Sequence, residues 1–309
     1  MPMIAYLLIL LLSCSIASCE KTESPPKTVT PVLHFYDTIV VDGKKRDYLL
    51  NLPPTYDDGS NFSLVVALHG FGGKASQMEQ DYKLTEKSNQ AQFVIVYPEG
   101  TQSSGPLGLQ SWNAGTCCDD ALNQNVNDVG FISQLIQKLV RQFKVNPKKV
   151  YVTGMSNGAM MTYRLACEIP NQIAAIAPVS GTLLTARPCQ PSRKMPILHI
   201  HSSLDNKVPY AGGIGIGGYY FPPVDSALKV WSAIDGCNAT PRLLFDSTLY
   251  TRSQYISCAA GTTIELNLTK DGGHSWPGGL QPRPGADEPS KAFDATNLIW
   301  DFFQRYELP

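Results

Sequence analysis

Short apolar runs alternate with longer runs of mixed polarity along most of the chain, and this alternation predicts the secondary structure. Apolar runs rich in β-branched and aromatic residues predict strands at 32–41, 46–52, 63–68, 93–97, 150–153, 173–178, 197–201, 243–255 and 262–268. Apolar positions at helical spacing predict helices at 83–90, 128–143, 159–169, 224–234 and 294–306. Strands alternating with helices are typical of an α/β fold with a mainly parallel central sheet and helices on both faces.

A glycine-x-serine-x-glycine motif, Gly154-Met155-Ser156-Asn157-Gly158, lies between a predicted strand and a predicted helix. On a sharp strand-to-helix turn such a serine lifts its hydroxyl above the sheet edge, and the glycines allow close passage of the backbone. The motif alone is a modest signal, but its context favours a nucleophile over an ordinary glycine-rich turn. Ser156 is therefore the candidate nucleophile.

A serine nucleophile needs a histidine base and a carboxylate that orients the base. In hydrolases with this motif the chain order is Ser, then Asp or Glu, then His, each after a strand. Asp205 follows the predicted strand 197–201, and His274 follows the predicted strand 262–268. We therefore expect Asp205 to be the acid and His274 to be the base.

A glycine-rich loop follows the predicted strand 63–68 and begins with His69 and Gly70. The negative oxygen of a tetrahedral intermediate is stabilised by fixed backbone N–H donors. We expect these donors to be the amides of Phe71, in this loop, and of Asn157, directly after the nucleophile.

Charge and the remaining motifs exclude several other classes of function. A net charge of −1, with 17% charged residues, provides no basic surface for nucleic acid. His199 and His201 alternate on one strand face, but no Cys, Asp or Glu cluster completes a tetrahedral set, so no metal is expected. The run from Gly213 to Gly218 fits a dinucleotide fingerprint, yet no strand leads into it, so no cofactor is expected. This run instead predicts a flexible loop near the acid, at the substrate entrance.

Six motifs follow one another along the chain: Leu68-His69-Gly70, Ser111-Trp112-Asn113 with Cys117-Cys118, Asn127-Asp128-Val129-Gly130-Phe131, Gly154 to Gly158, Ala177-Pro178-Val179-Ser180-Gly181 and Gly273-His274-Ser275-Trp276-Pro277-Gly278. With these motifs in this order, the chain between about Val41 and Tyr306 resembles the esterase/polyhydroxybutyrate depolymerase family, which has the α/β-hydrolase fold. Within that family it is most similar to secreted feruloyl esterases and related carbohydrate esterases.

The resemblance implies the same roles for Ser156, Asp205 and His274. The chain departs from the common pattern at Asn127, where similar proteins often have Asp, and at Ser202, where they often have Gly. The second departure alters the loop that carries the acid. For Asp128 a plain structural role is expected, with Asn127 or Asp128 capping the helix 128–143.

The resemblance also implies a substrate: a feruloyl (cinnamoyl) ester on plant cell-wall polysaccharide. Hydroxybutyrate polyesters or oligomers and acetylated xylan are the alternatives within the esterases. A peptidase and a non-catalytic polysaccharide-binding surface lipoprotein are the alternatives outside them. Four aromatic residues near the expected site are candidates to stack on a planar acyl group, with core packing as the alternative: Trp112, Tyr219, Tyr220 and Trp276.

The first residues predict export. Ile4 to Leu12 is an apolar run like the core of a signal peptide, and Ile16-Ala17-Ser18-Cys19 resembles a bacterial lipobox with Cys19 as the lipidated residue. Residues 1–19 are therefore expected to form the signal segment, 20–31 a polar, Pro-rich tether, and 32–309 a single catalytic domain. Cleavage near Ala17, giving a freely secreted protein, is the alternative. We therefore expect a monomeric bacterial protein that is either a lipoprotein of the outer membrane or cell surface or a secreted enzyme.

Six cysteines remain after Cys14 and Cys19, an even number that predicts disulfides in an exported protein. Cys237 and Cys258 flank a hairpin-like segment, and similar proteins join this pair. The other interpretations pair Cys167 with Cys189 and leave Cys117 and Cys118 either as a vicinal disulfide or as free thiols.

Overall fold

The computed structural model describes residues 33–309, so the predicted signal segment, Cys19 and the tether lie outside the described residues. Strands form at the predicted apolar runs, and short two-residue strands add two small ribbons. The strands within the described range are β1 (His34–Val41), β2 (Lys44–Asn51), β3 (Phe62–Leu68), β4 (Val94–Pro98), β5 (Thr101–Gln102), β6 (Gln110–Ser111), β7 (Val145–Met155), β8 (Ala175–Val179), β9 (Ile197–Ser202), β10 (Gly213–Ile214), β11 (Tyr220–Phe221), β12 (Arg242–Asp246), β13 (Tyr250–Tyr255) and β14 (Ile264–Thr269).

Helices connect most of these strands. They are α1 (Ala75–Tyr82), α2 (Leu84–Ala91), α3 (Asp119–Asn123), α4 (Asp128–Gln142), α5 (Asn157–Glu168), α6 (Val224–Asp235) and α7 (Ala295–Phe303). Three short 3₁₀ turns lie at 170–172, 216–218 and 259–261. No helix among residues 33–309 is long and apolar enough to cross a membrane.

One ten-stranded sheet organises the described residues, in the order β1-β2-β4-β3-β7-β8-β9-β14-β13-β12. The central strands from β4 to β14 run parallel, and antiparallel strands flank them on both sides. Carboxyl ends of parallel strands meet at one edge of a sheet. The loops after β3, β7, β9 and β14 therefore converge there, and these loops carry the candidate site residues.

Alternating side chains of the strands separate the core into two layers, as the two-residue period of a strand requires. In β3, Leu64 and Val66 face a cluster that includes residues of α4, α5 and α6. Their neighbours Val65 and Ala67 face a second cluster, with residues of α1 and α7. Helices on both faces thus cover the sheet, as the α/β-hydrolase fold requires.

The structure corrects the sequence prediction at two places. The run 243–255 is not one strand but the hairpin of β12 and β13. The chain reverses direction at a polar turn, in which the Ser247 hydroxyl accepts the amides of Leu249 and Tyr250. Helix α1 was missed because its outer face is polar. Only Ala75, Met78 and Tyr82 of α1 are buried, at helical spacing.

Three disulfides join the six cysteines of the described range. Cys237 pairs with Cys258 and Cys167 with Cys189, and the vicinal cysteines Cys117 and Cys118 are bonded to each other across a cis peptide. Both members of the vicinal pair are buried.

Candidate active site

Ser156 occupies the sharp turn between β7 and α5. Strand β7 ends at Met155 and helix α5 begins at Asn157, so Ser156 alone makes the turn, with φ +57° and ψ −118°. A non-glycine residue held at positive φ costs about 1–3 kcal/mol and persists only where its surroundings impose it. Here the Ser156 amide donates to Val179 O on the adjacent strand at 2.9 Å, which anchors the turn.

The two motif glycines allow this turn because no side chain fits at either position. A Cβ atom at Gly154 would lie 2.5 Å from the carbonyl carbon of Gly158. A Cβ atom at Gly158 would lie 2.2 Å from the carbonyl oxygen of Leu68 at the end of β3. Helix α5 can therefore start directly against the end of β3, where the glycine-rich loop begins.

Asp205 and His274 meet at the same edge of the sheet. His274 Nδ1 lies 2.7 Å from Asp205 Oδ2, and Asp205 Oδ1 accepts the amides of Lys207 and Val208 at 2.9 and 2.8 Å. Burial raises the pKa of the Asp205 carboxyl, but hydrogen bonds from His201 and His274 outweigh it and hold the pKa below its usual range. The carboxylate therefore stays ionised and can orient the His274 ring.

His199 and His201 belong to a series of hydrogen bonds that ends at Asp205. Val208 O accepts a hydrogen bond from His201 Nε2 at 2.8 Å, so this nitrogen carries the proton, and it also lies 3.4 Å from Asp205 Oδ2. His201 Nδ1 then accepts from His199 Nε2 at 3.1 Å, and His199 Nδ1 accepts from the Tyr163 hydroxyl at 2.8 Å. Burial lowers the pKa of His199 well below its usual value, which keeps that ring neutral. This series of hydrogen bonds was not predicted from the sequence, because its side chains come from two separate elements, α5 and β9.

No group of three or more His, Cys, Asp or Glu side chains suited to a metal ion occurs within residues 33–309.

The loops of the acid and the base are tied to each other. The Ser202 hydroxyl lies 3.2 Å from Gly272 O in the His274 loop and accepts the amide of Leu204 at 3.1 Å. Asp287 accepts the backbone amide of His274 at 2.7 Å and pairs with Lys207 at 3.1 Å. Ser202, at a position where similar proteins are expected to have Gly, therefore links the two loops.

The two expected oxyanion donors flank the nucleophile. Among the described residues, neither the Phe71 amide nor the Asn157 amide has an acceptor, so both remain free to bind an oxygen. A Cβ atom added to Gly70 would lie 3.4 Å from Ser156 Cβ, so the glycine-rich loop passes directly beside the nucleophile. The Ser156 hydroxyl makes no hydrogen bond to another described residue, and hydrogen bonds between catalytic groups are often long in unliganded enzymes.

The ring of His69 holds the glycine-rich loop in place through two hydrogen bonds. Its Nε2 accepts the Gly100 amide at 2.9 Å, so its proton is on Nδ1, which donates to Gly70 O at 2.8 Å. Burial lowers the pKa of His69 to about 4, so the ring is neutral at physiological pH. His69 is thus a positioning residue for the loop, not a base.

Trp112 does not line the site, and the expectation that it stacks on the substrate is wrong. Its side chain is fully buried, and its indole N–H donates to His69 O at 2.9 Å. The Asn157 side chain bonds both backbone groups of Trp112, accepting from its N at 2.7 Å and donating to its O at 3.0 Å. Trp112 therefore supports, from inside the core, both the glycine-rich loop at His69 and the start of α5 at Asn157.

The prediction that Asn127 or Asp128 caps α4 is confirmed at Asn127, whose side chain accepts the Gly130 amide at 2.9 Å. Asp128 has a different role. Asp128 is fully buried, pairs with Arg46 at 2.7 Å and accepts the Asn113 amide at 2.8 Å. It therefore anchors the segment that follows Trp112.

Two cavities meet at Ser156, Phe71 and Ile216. The smaller has a volume of about 70 Å³ and lining atoms that are almost all apolar. Its other lining residues are Cys118, Asn157, Met160, Val208, Gly217, Tyr219 and Phe221. The larger is an open cleft of about 320 Å³ that contains His274 and Trp276. A still larger depression of about 610 Å³, along β1 and β2, contains none of the candidate catalytic residues.

The remaining aromatic candidates differ in their placement. Tyr219 lines the small cavity, and its hydroxyl accepts the Asp119 amide at 3.2 Å. Trp276 lines the cleft, although its ring is nearly fully buried and stacks on Tyr82 at 4.6 Å. Tyr220 is 63% exposed and lines neither cavity, because strand alternation in β11 turns it outward, and its contact with substrate stays a prediction.

Comparison with known proteins agrees with this geometry. The model of the phospholipase/carboxylesterase family matches residues 57–220, more than half of the chain and the part that holds the oxyanion loop, the serine turn and the acid. The chain belongs to this family.

Individual relatives share about a quarter of their residues with this chain. The chain is 26% identical to feruloyl esterase B of Piromyces equi over 85% of its own length, and it spans 46% of that protein. It is 27% identical to acetylxylan esterase A of Emericella nidulans, over 57% of this chain and 55% of that relative. The solved acetyl xylan esterase from Aspergillus awamori superposes with a TM-score of 0.61 at 16% identity, covering 87% of this chain and 99% of that one, which shows the shared fold.

Proposed function

We propose that this carboxylesterase cleaves its ester through an acyl-enzyme on Ser156. His274 removes the proton from Ser156 and later gives it to the leaving alcohol, Asp205 orients His274, and the Phe71 and Asn157 amides bind the oxyanion. The observation that carries the proposal is the 2.7 Å contact between His274 Nδ1 and Asp205 Oδ2 at the cleft that also contains Ser156.

The position of the base assigns the two cavities to the two halves of the ester. His274 must reach the leaving oxygen to protonate it, so the alcohol occupies the open cleft that His274 lines. The acyl group then occupies the small apolar cavity beside the amides of Phe71 and Asn157. A wide, open leaving-group cleft suits a sugar or an oligosaccharide.

The acyl cavity favours a short acyl group. Its volume is about 70 Å³, against about 320 Å³ for the cleft, and its lining is almost entirely apolar. We therefore propose acetyl esters of plant polysaccharide such as xylan as the first substrate class. Feruloyl esters are the second, supported by the relative from Piromyces equi.

We expect Ile216 to discriminate between these two substrates, because it lies in the run from Gly213 to Gly218 and lines both cavities. Replacing Ile216 with alanine is expected to raise kcat/KM for methyl ferulate relative to an acetyl ester by about 10- to 200-fold, the range associated with small changes in the size of an apolar pocket. The measurement is kcat/KM on methyl ferulate, acetylated xylan and hydroxybutyrate oligomers for both proteins.

The matched control is Ile214→Ala. Ile214 lies two residues earlier on the same loop, is 68% exposed and lines neither cavity. Ile214→Ala should leave the ratio of kcat/KM for methyl ferulate to kcat/KM for the acetyl ester unchanged. A wild-type enzyme that prefers ferulate over acetyl esters would reject the short-acyl assignment, and a preference for hydroxybutyrate oligomers would replace both plant substrates with the polyester.

We also propose that the esterase is exported and anchored by lipid on Cys19. Three disulfides are consistent with an oxidising compartment, and Ile16-Ala17-Ser18-Cys19 supports the anchor. Protein from the native host should begin at Cys19 and enter the detergent phase, whereas Cys19→Ala should stay in the aqueous phase. An unmodified N-terminus at another residue would contradict the anchor and leave secretion as the route.

A further inference from the structure

The open cleft at Ser156 has an excess of positive charge in its lining. Three Lys or Arg side chains line it, Lys74, Lys207 and Arg283, and no Asp or Glu of the range 33–309 does. The whole chain has 25 Lys and Arg against 26 Asp and Glu, so the excess is a property of the cleft and not of the protein. No local pattern predicts it, because the three residues come from loops that are far apart in the chain.

Two of these three cations have no ion pair within the described part of the chain. Lys207 pairs with Asp287 at 3.1 Å. Arg283 is exposed and forms no ion pair or side-chain hydrogen bond among residues 33–309. Burial raises the pKa of Glu99 and Lys74 offsets part of that rise, yet the two side chains form no ion pair. The charges of Arg283 and Lys74 therefore remain available to a bound group.

Arg283 lies on an anchored loop. The Leu280 amide donates to Asp81 O at the end of α1 at 2.7 Å, which ties the start of the loop to a helix. Further along, the Ala286 amide donates to Arg283 O at 3.1 Å, and the Gln281 side chain donates to Ala286 O at 2.7 Å. The backbone that carries Arg283 is thus fixed beside the cleft, while its guanidinium is free to bind.

Lys74 occupies a place that helix stability does not explain. It is the N-cap residue of α1, and the first turn of that helix contains no acidic residue. The partial positive charge at a helix N-terminus disfavours a cation there. An anionic group bound in the cleft would interact favourably with Lys74 and offset this cost.

In the proposed function the leaving alcohol occupies this cleft, and the present inference rests on that assignment. We propose that the leaving alcohol carries a carboxylate, as a uronic acid residue of an acetylated plant oligosaccharide does, and that Arg283 and Lys74 bind it. A guanidinium can form two parallel hydrogen bonds to a carboxylate. Arg283 and Lys74 thus set the preference for the alcohol and take no part in breaking the ester bond.

Two aryl acetates with matched leaving groups test the proposal: 4-acetoxybenzoate, which is anionic, and 4-acetoxybenzamide, which is neutral. After correction for the uncatalysed rates, kcat/KM of the wild type should be about threefold to tenfold higher for the anionic ester, the scale of one or two exposed ion pairs. Because salt screens exposed charges, this preference should fall as the salt concentration rises.

Substitutions of the two cations locate the effect. Arg283→Gln should lower the ratio of the two kcat/KM values by about threefold, and Arg283→Gln with Lys74→Gln should abolish the preference. Arg283→Glu should instead favour a cationic ester, 4-(trimethylammonio)phenyl acetate, a gain that general damage to the fold cannot produce. Arg187→Gln is the matched control, since Arg187 is exposed and lines neither cavity at Ser156, and it should leave the ratio unchanged.

Acetylated xylo-oligosaccharides with and without a glucuronic acid branch extend the test to sugars, and kcat/KM should be higher with the branch. Equal kcat/KM values for the anionic and neutral esters, or a preference that survives the double substitution, would overturn the proposal and leave the esterase assignment intact. Wild-type protein that hydrolyses neither ester would instead contradict the proposed function, so the two failures are distinguishable.

Discussion

Replacing Ser156 with alanine is expected to lower kcat for ester hydrolysis by about 10⁶-fold, the scale seen when a serine hydrolase loses its nucleophile. The alanine keeps the Cβ atom and removes only the oxygen that forms the acyl-enzyme. The Ser156 hydroxyl makes no hydrogen bond to another described residue, so the fold should lose little stability. Initial rates on an aryl acetate, together with a thermal unfolding curve, measure both effects.

A matched control separates the loss of the nucleophile from nonspecific damage. Ser103 is half-buried in the loop after β5 and lines neither of the two cavities at Ser156, and Ser103→Ala should leave kcat unchanged. Ser156→Ala with normal unfolding and residual turnover above about 1% would mean that another group carries the chemistry.

Replacing Asp205 with asparagine is expected to lower kcat by about 10⁴-fold, as in the serine-protease triad, where the histidine then adopts the wrong tautomer. His274 Nδ1 must carry its proton toward Asp205 so that its Nε2 is free to accept from Ser156. An asparagine side chain keeps the shape but provides no negative charge to stabilise the imidazolium. A pH profile of kcat/KM measures this effect, because loss of the carboxylate destabilises protonated His274 and should shift the acidic limb toward lower pH.

Asp287→Asn provides the comparison within the same loop. Asp287 bonds the backbone amide of His274 and not its ring. We expect its replacement to lower kcat by only about tenfold to a hundredfold, through loosening of the loop, with no shift of the pH profile. Equal losses in the two variants would contradict a specific role for Asp205.

The sequence predicted the parts of the site that depend on chain order and local pattern. The turn at Ser156 is a local signal, since strand, glycines and helix all lie within about 20 residues. Asp205 and His274 could be predicted because each follows an apolar run whose parallel direction brings it to the same edge. The open amides of Phe71 and Asn157 follow from the same two local turns.

The rest depends on contacts between distant segments and leaves no local signal. Trp112 looks like a substrate aromatic, but the Asn157 side chain, 45 residues away, holds it in the core. Asp128 looks like a helix cap until Arg46 and Asn113 are placed against it. The small cavity at Ser156 is lined by Ile216 and Tyr219 from one loop and by Met160 from α5. The pattern of apolar positions in the sequence does not predict how these segments are placed against each other.

The most direct test of the account is to label the protein with a fluorophosphonate and map the adduct by mass spectrometry. Such a reagent reacts with a serine only where a base and oxyanion donors activate it. The account predicts one adduct per chain, on Ser156, no adduct in Ser156→Ala, and at least a hundredfold slower labelling in Asp205→Asn. An adduct on another residue, or labelling that persists in Ser156→Ala, would contradict the assignment of Ser156 as the nucleophile.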